Sequence, residues 1–175
     1  MPYMSSLYTV IYPSPLGRIT LASEGVYLVG LWFDGQKHYG AGLPIESATE
    51  YLTEPLQAAC DWLDAYFAGE QPSIANLSLR PSGTAFRQAV WERLLHIPYG
   101  STTGYGAIAE EMRASGLSAS PRAVGGAVAH NPISLIIPCH RVIAADPSAA
   151  LHYAAGPHIK QALLRHEQNL TAFDH

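Results

Sequence analysis

The chain runs to 175 residues, 48% of them hydrophobic and 14% charged, with a net charge of −4; that excludes a disordered chain and leaves room for one or two small domains with real cores. No apolar run approaches the roughly 20 residues that cross a membrane, and the opening Met1-Pro2-Tyr3-Met4-Ser5 lacks the basic and apolar regions of a secretory signal. Two cysteines, Cys60 and Cys139, with no Cys-x-x-Cys or His-x-x-x-His spacing, argue against a disulfide framework and a structural zinc, so no metal is expected and a reduced, cytoplasmic setting is.

Residues 8–12, 19–23 and 26–33 are β-branched, aromatic and apolar, and turns at Ser14-Pro15-Leu16-Gly17 and Glu24-Gly25 separate them; they read as a β-meander. Residues 35–47 read as loop. Leu56, Ala59, Cys60, Leu63 and Phe67 recur at helical spacing, predicting a helix over 55–67 that stops at Gly69. Residues 71–83, rich in Pro, Ser and Asn, read as a connector with room for one short strand, and the domain boundary is placed there. Thr84 can cap a helix over 85–95 with Phe86, Val90, Trp91 and Leu94 on one face. A helix over 105–113, a turn at 116–118 and a helix over 121–130, capped by Ser120 and opened by Pro121, make a helix-turn-helix pattern. Two short strands, 135–137 and 142–143, are expected around Pro138-Cys139-His140-Arg141, then a last helix over 160–167.

Charge is unevenly spread. Up to Gly83 three basic residues stand against eight acidic ones; from Thr84 on seven basic residues stand against six, and seven of the eight histidines lie there. If one part meets nucleic acid it is the second, with few phosphate contacts and a modest salt dependence.

The decisive stretch is Ile136-Ile137-Pro138-Cys139-His140-Arg141-Val142-Ile143. It resembles the Pro-Cys-His-Arg-Val signature of the O6-alkylguanine-DNA alkyltransferases. The likeness extends through residues 86–91, Ile97-Pro98-Tyr99-Gly100, Tyr105-Gly106, Arg122-Ala123-Val124-Gly125-Gly126-Ala127 and Asn131-Pro132. It is looser in the first part, at Pro15-Leu16-Gly17 and Tyr66-Phe67-Ala68-Gly69. The bacterial single-protein members are the nearest type. The resemblance implies two domains: 1–82, a ribonuclease-H-like α/β support domain with an antiparallel sheet, and 83–175, a mainly α winged helix-turn-helix domain carrying the reactive cysteine. It implies a DNA repair protein that moves a methyl or other alkyl group from O6 of guanine, and from O4 of thymine, in double-stranded DNA. The acceptor is its own Cys139, irreversibly and once per chain, in a monomer with no cofactor.

The residues support that chemistry. Alkyl transfer needs a soft nucleophile, and a thiol with a free pKa of about 8.5 is mostly protonated at neutral pH. His140 is the adjacent base. The resemblance implies a water between thiol and imidazole and assigns Glu167 as the carboxylate that orients the ring, a triad with cysteine in the place of serine. Together these predict a Cys139 pKa below its free value. The resemblance also implies that Tyr105 donates to guanine N3, that Asn131, Val128, Val142, Tyr153 and the Ala154 backbone form the substrate pocket, and that Arg122 fills the gap left by a flipped base. Ala123, Gly125, Gly126 and Ala127 are small enough for the helix to approach the minor groove closely. Tight helix packing is the other meaning of such a small face. Cys60 reads as a core residue and Arg141 as a structural ion-pair partner.

The chain departs from the family in the pocket loop. His152-Tyr153-Ala154-Ala155-Gly156-Pro157 stands where a glycine-richer segment is usual, so Ala155 removes a residue suited to positive φ and Pro157 lacks an N–H. Three other classes compete. A damage sensor that binds alkylated bases with weak or no transfer is disfavoured by Cys139, since those proteins replace the cysteine. A Cys-His hydrolase lacks its oxyanion pattern. A helix-turn-helix regulator would carry a more polar reading helix.

Overall fold

The computed structural model describes residues 6–168. Its first part is a sheet backed by one helix. β1 (Leu7–Ser14), β2 (Gly17–Glu24) and β3 (Tyr27–Phe33) form the expected antiparallel meander, with a register shift between Ala22 and Ser23. The sheet is not wholly antiparallel. β4 (Thr49–Glu50) pairs parallel with β1 at Tyr8 and Thr9, giving the order β3-β2-β1-β4. The connection after β3 crosses back to the far edge and is long enough for the crossover that a parallel pairing needs.

α1 (Glu54–Phe67) packs on that sheet. Thr53 caps it by accepting from the Leu56 N–H, Pro55 sits in the first turn, and Gly69 at φ 91° turns the chain away after it. Leu56, Ala59, Leu63 and Tyr66 are fully buried at helical spacing.

The second part is helical. α2 (Ala85–Leu94) is capped by Thr84; α3 (Tyr105–Ala114) and α4 (Pro121–Ala129) are joined by a turn through Gly116 at φ 88° that the Arg113 guanidinium pins to the Ala119 carbonyl at 2.8 Å. α5 (Pro157–Glu167) closes the described part, three residues longer at its start than the sequence suggests, because Pro157 takes the first helical position. Between α4 and α5 lies β6 (Val142–Ile143), paired parallel with β5 (Thr103–Gly104).

The strand expected over 135–137 is absent. Ile133 bridges Leu31 of β3 instead, through Leu31 N–H to Pro132 O and Ser134 N–H to Leu31 O. Leu135 then turns left-handed at φ 71°, and Cys139–Arg141 form one 3-10 turn. The apolar run there is continuous because it is buried on all sides, which periodicity cannot distinguish from a strand. A continuous apolar core runs from Ile19 and Leu21 of the sheet through Trp62 and Trp91 to Leu163. Among the described residues no helix is long and apolar enough to cross a membrane.

Candidate active site

Cys139 sits at the floor of a cavity of about 700 Å³. Tyr105 at the start of α3, Gly125 and Val128 on α4, Asn131 just beyond it, and the 152–157 loop line its walls. The thiol is 3% exposed. Asn131 fixes the backbone around it with both ends of its amide: Nδ2 donates to Ile137 O at 2.8 Å and Oδ1 accepts from Ile133 N–H at 3.0 Å. The Asn131 amide, the Tyr153 hydroxyl and the Leu135 N–H all face the sulfur.

Behind the thiol lies a buried polar network. Glu167, 4% exposed, accepts from five donors: His140 Nε2 at 2.6 Å, Arg141 Nε at 2.7 Å and Nη2 at 3.1 Å, the Tyr66 hydroxyl at 2.7 Å and Gly100 N–H at 3.2 Å. Burial alone would raise its carboxyl pKa, but the donors, His140 and Arg141 foremost, hold it well below the usual carboxylate range. Arg141 also donates to Ile97 O at 2.8 Å, which makes it the structural partner the sequence suggests. Gly100 sits at φ 79°, and a Cβ there would stand 3.2 Å from the Glu167 carbonyl, so glycine is required to bring its N–H to the carboxylate.

Burial lowers the His140 pKa below its ordinary value despite Glu167, so the ring is neutral, with Nε2–H given to the carboxylate. Its Nδ1 is buried and meets no protein partner among the described residues. Burial likewise pushes the Cys139 thiol up, against the lowering effects of Asn131, Tyr153 and Lys160. The expectation of a depressed resting thiol is therefore reversed: sequence adjacency to His140 does not reveal how deeply the sulfur is buried. The pair is poised as neutral thiol and neutral base, which suits proton transfer on demand.

Lys160 is the residue sequence reasoning missed. It is fully buried on α5, donates from Nζ to Val142 O at 2.6 Å and His152 O at 3.0 Å, and burial lowers its pKa to about 8 while Cys139 pulls it up. A lysine in phase with Leu163 and Glu167 on the buried face of α5 is the signal that would have found it. Tyr66, on α1, was noted only as part of a loose likeness.

The remaining expected residues divide. Val142 is fully buried but does not line the cavity; its carbonyl is taken by Lys160. Ala127 points into the core at 2% exposure, and its carbonyl accepts from Trp91 Nε1 at 2.8 Å, so the helical phase that turns Val124, Ala127 and Val128 inward keeps it off the outer face. Arg122, Ala123 and Gly126 are exposed. A Cβ on Gly126 would meet nothing within 4 Å, and one on Gly125 only the Tyr105 ring at 3.8 Å, so packing within the chain demands neither glycine. The pocket loop keeps its turn because Gly156, at φ 103°, supplies the positive φ that Ala155 gives up. Among the described residues no group of three or more His, Cys, Asp or Glu side chains is placed to hold a metal ion.

Fold and site together define a class: a sheet-and-helix part joined to a helical part, with one shielded cysteine at the floor of a cavity beside α4. Comparison with known proteins narrows the class. Residues 7–81 match the family model described as the ribonuclease-like domain of 6-O-methylguanine DNA methyltransferase, and residues 85–169 match its DNA binding domain. The chain belongs to the O6-methylguanine-DNA methyltransferase family. It is 43% identical over 169 residues to a Mycobacterium tuberculosis methylated-DNA--protein-cysteine methyltransferase (92% of this chain, 95% of that one) and 36% identical over 172 residues to the Haemophilus influenzae protein of that name (94% and 88%). The crystal structure of Mycobacterium tuberculosis OGT in complex with DNA aligns with a TM-score of 0.78 at 38% identity, covering 97% of this chain and 99% of that one.

Proposed function

We propose that this protein repairs DNA by moving a methyl or larger alkyl group from O6 of guanine in a duplex onto Cys139. The observation that carries the reading is the thiol itself, at the floor of a cavity large enough for a base and backed by a neutral imidazole held by Glu167. The sulfur attacks the alkyl carbon and the carbon–O6 bond breaks. The thiol proton passes, through a water, to His140 Nδ1, and guanine leaves with its electron pair and regains a proton. Glu167 keeps its charge against Arg141 and steadies the imidazolium. The buried cation of Lys160 stabilises the thiolate as it forms. Tyr105 and Tyr153 both line the cavity that receives the base. The product is a thioether with no group nearby to cleave it, so each chain acts once.

A thiol this deep cannot reach a stacked base, so the nucleotide must swing out of the duplex at a cost of a few kcal/mol. Arg122, exposed at the second position of α4, fills the gap in this reading. The open face of Ala123, Gly125 and Gly126 admits the backbone close to a minor groove. O4-alkylthymine offers the same displacement chemistry and is included. In this reading α3 and α4 are the helix-turn-helix of a winged DNA-binding domain over residues 83–175, residues 1–82 form a ribonuclease-H-like domain, and the protein works as a cytoplasmic monomer. The two family matches, which meet near that boundary, and the DNA-bound relative support it.

The test is a duplex with one O6-methylguanine inside a methylation-blocked restriction site, in excess over protein. Cleavable duplex should rise to one equivalent of chain and stop, and Cys139→Ser should restore none. Restoration well past one equivalent, or by the Cys139→Ser variant, overturns the proposal.

A further inference from the structure

Three consecutive residues after β3 each hold a different stretch of chain that lines or adjoins the cavity. Gln36 is 5% exposed; Oε1 accepts the Phe33 N–H at 2.9 Å, and its amide meets Ser134 Oγ at 3.2 Å from Nε2 and 3.3 Å from Oε1. Ser134 lines the cavity, and its hydroxyl faces that of Tyr153, which in turn faces Cys139. The Lys37 N–H donates to Ala154 O, in the pocket loop, at 2.9 Å. The His38 ring stacks on that of His130 with centroids 3.8 Å apart and planes 25° from parallel. His130 closes α4 and is held there by its own Nδ1, 2.7 Å from Gly126 O.

We infer that Gln36, Lys37 and His38 form a clasp through which the N-terminal part sets the width of the alkyl-accepting cavity. That makes this part a determinant of which O6 substituents are taken, beyond a support. The inference rests on Cys139 as the acceptor. Its physical basis is that α4, the pocket loop and the Ser134 segment are separate stretches of chain. Their spacing fixes the aperture, and one short loop is bonded to all three. Gly35, His38 and Gly40 all hold positive φ, and His38, at φ 58°, takes the left-handed conformation that is uncommon for a residue with a side chain while its ring lies on His130. A methyl group needs little width and a benzyl group needs much, so a loosened clasp favours the larger substrate.

The experiment compares single-turnover rates of Cys139 alkylation from duplexes carrying O6-methylguanine and O6-benzylguanine. His38→Ala should raise the benzyl-to-methyl rate ratio by at least about threefold, within the range a steric fit commands. Gln36→Leu should move the ratio the same way, and the double variant further. His38→Tyr, which keeps a ring over His130, should return the ratio to that of the parent. A loss of stability alone scales both rates together and leaves the ratio fixed. An unchanged ratio in the exposed-site variant His38→Ala overturns the clasp while leaving the transfer reading intact. Failure of the parent to alkylate Cys139 from either duplex overturns both, so the two failures are distinguishable.

Discussion

Replacing Glu167 by glutamine keeps the side chain's shape and removes its charge, while five donors remain aimed at it. Two consequences follow from the geometry. Arg141 is left buried with its Nε and Nη2 facing a neutral amide, and breaking a buried ion pair from one side costs about 3–5 kcal/mol. At roughly 2–4 °C per kcal/mol for a chain of this size, the melting temperature should fall by about 6–20 °C. The imidazole loses the acceptor that fixes its tautomer, and a misplaced general base costs about 10²–10⁴ in rate. Denaturant titration gives the first quantity. Single-turnover transfer from methylated duplex, at a temperature where the variant is folded, gives the second. The double variant Glu167→Gln with Arg141→Met separates them: without an unpaired charge much of the stability should return, but the rate should not. A loss under about 1 kcal/mol in the single variant, or recovery of the rate in the double, would refute the assigned roles.

Arg122→Ala should slow transfer from duplex DNA by about tenfold or more at saturating DNA, from ~1.4 kcal/mol of lost flipping energy, and leave reaction with free O6-benzylguanine nearly unchanged; equal duplex rates for variant and parent leave it only a phosphate contact. Gly126→Ala meets open space in the free protein and should stabilise it by up to about 1 kcal/mol while weakening duplex affinity; unchanged affinity removes α4 from the groove. Stability should also fall with acid. His140 and Glu167 both have folded pKa values below their ordinary 6.5 and 4.5, so the unfolded chain takes up protons that the folded one refuses. Their contribution is full above about pH 6.5 and is lost as pH falls, first through His140 and then through Glu167, and His140→Phe should flatten the upper limb. A stability curve level from pH 7 to 4 would contradict this. Cys60, pushed up to about 11 by burial, Asp64 and Asp61, should react with thiol reagents far more slowly than an ordinary thiol, as timed labelling would show.

The meander, α1, and the α3–α4 pair were legible because their periods and turn residues agree with the final packing, and Thr84 and Ser120 cap as the sequence predicts. The cysteine and histidine were legible through a short motif, and the glutamate only through the family resemblance that the motif carries. What was not legible depends on three-dimensional contact. The apolar run Leu135-Ile136-Ile137 does not announce that it turns left-handed at Leu135 to present an N–H to sulfur. Burial, which reverses the expected thiol shift, is a property of the folded packing rather than of the neighbours in sequence. Tyr66 and Gln36 reach the site from elements with no chemical motif of their own, and Ala127 shows that a small residue in a reading helix can belong to the core.

The central claim is that one thiol receives the alkyl group and keeps it. Peptide mass spectrometry after incubation with a duplex carrying O6-methylguanine tests this directly. The account predicts a single added methyl group on the peptide that holds Cys139, in every active chain, with the Cys60 peptide unmodified. A methyl on Cys60, or restored guanine with no mass gain on the protein, would contradict it.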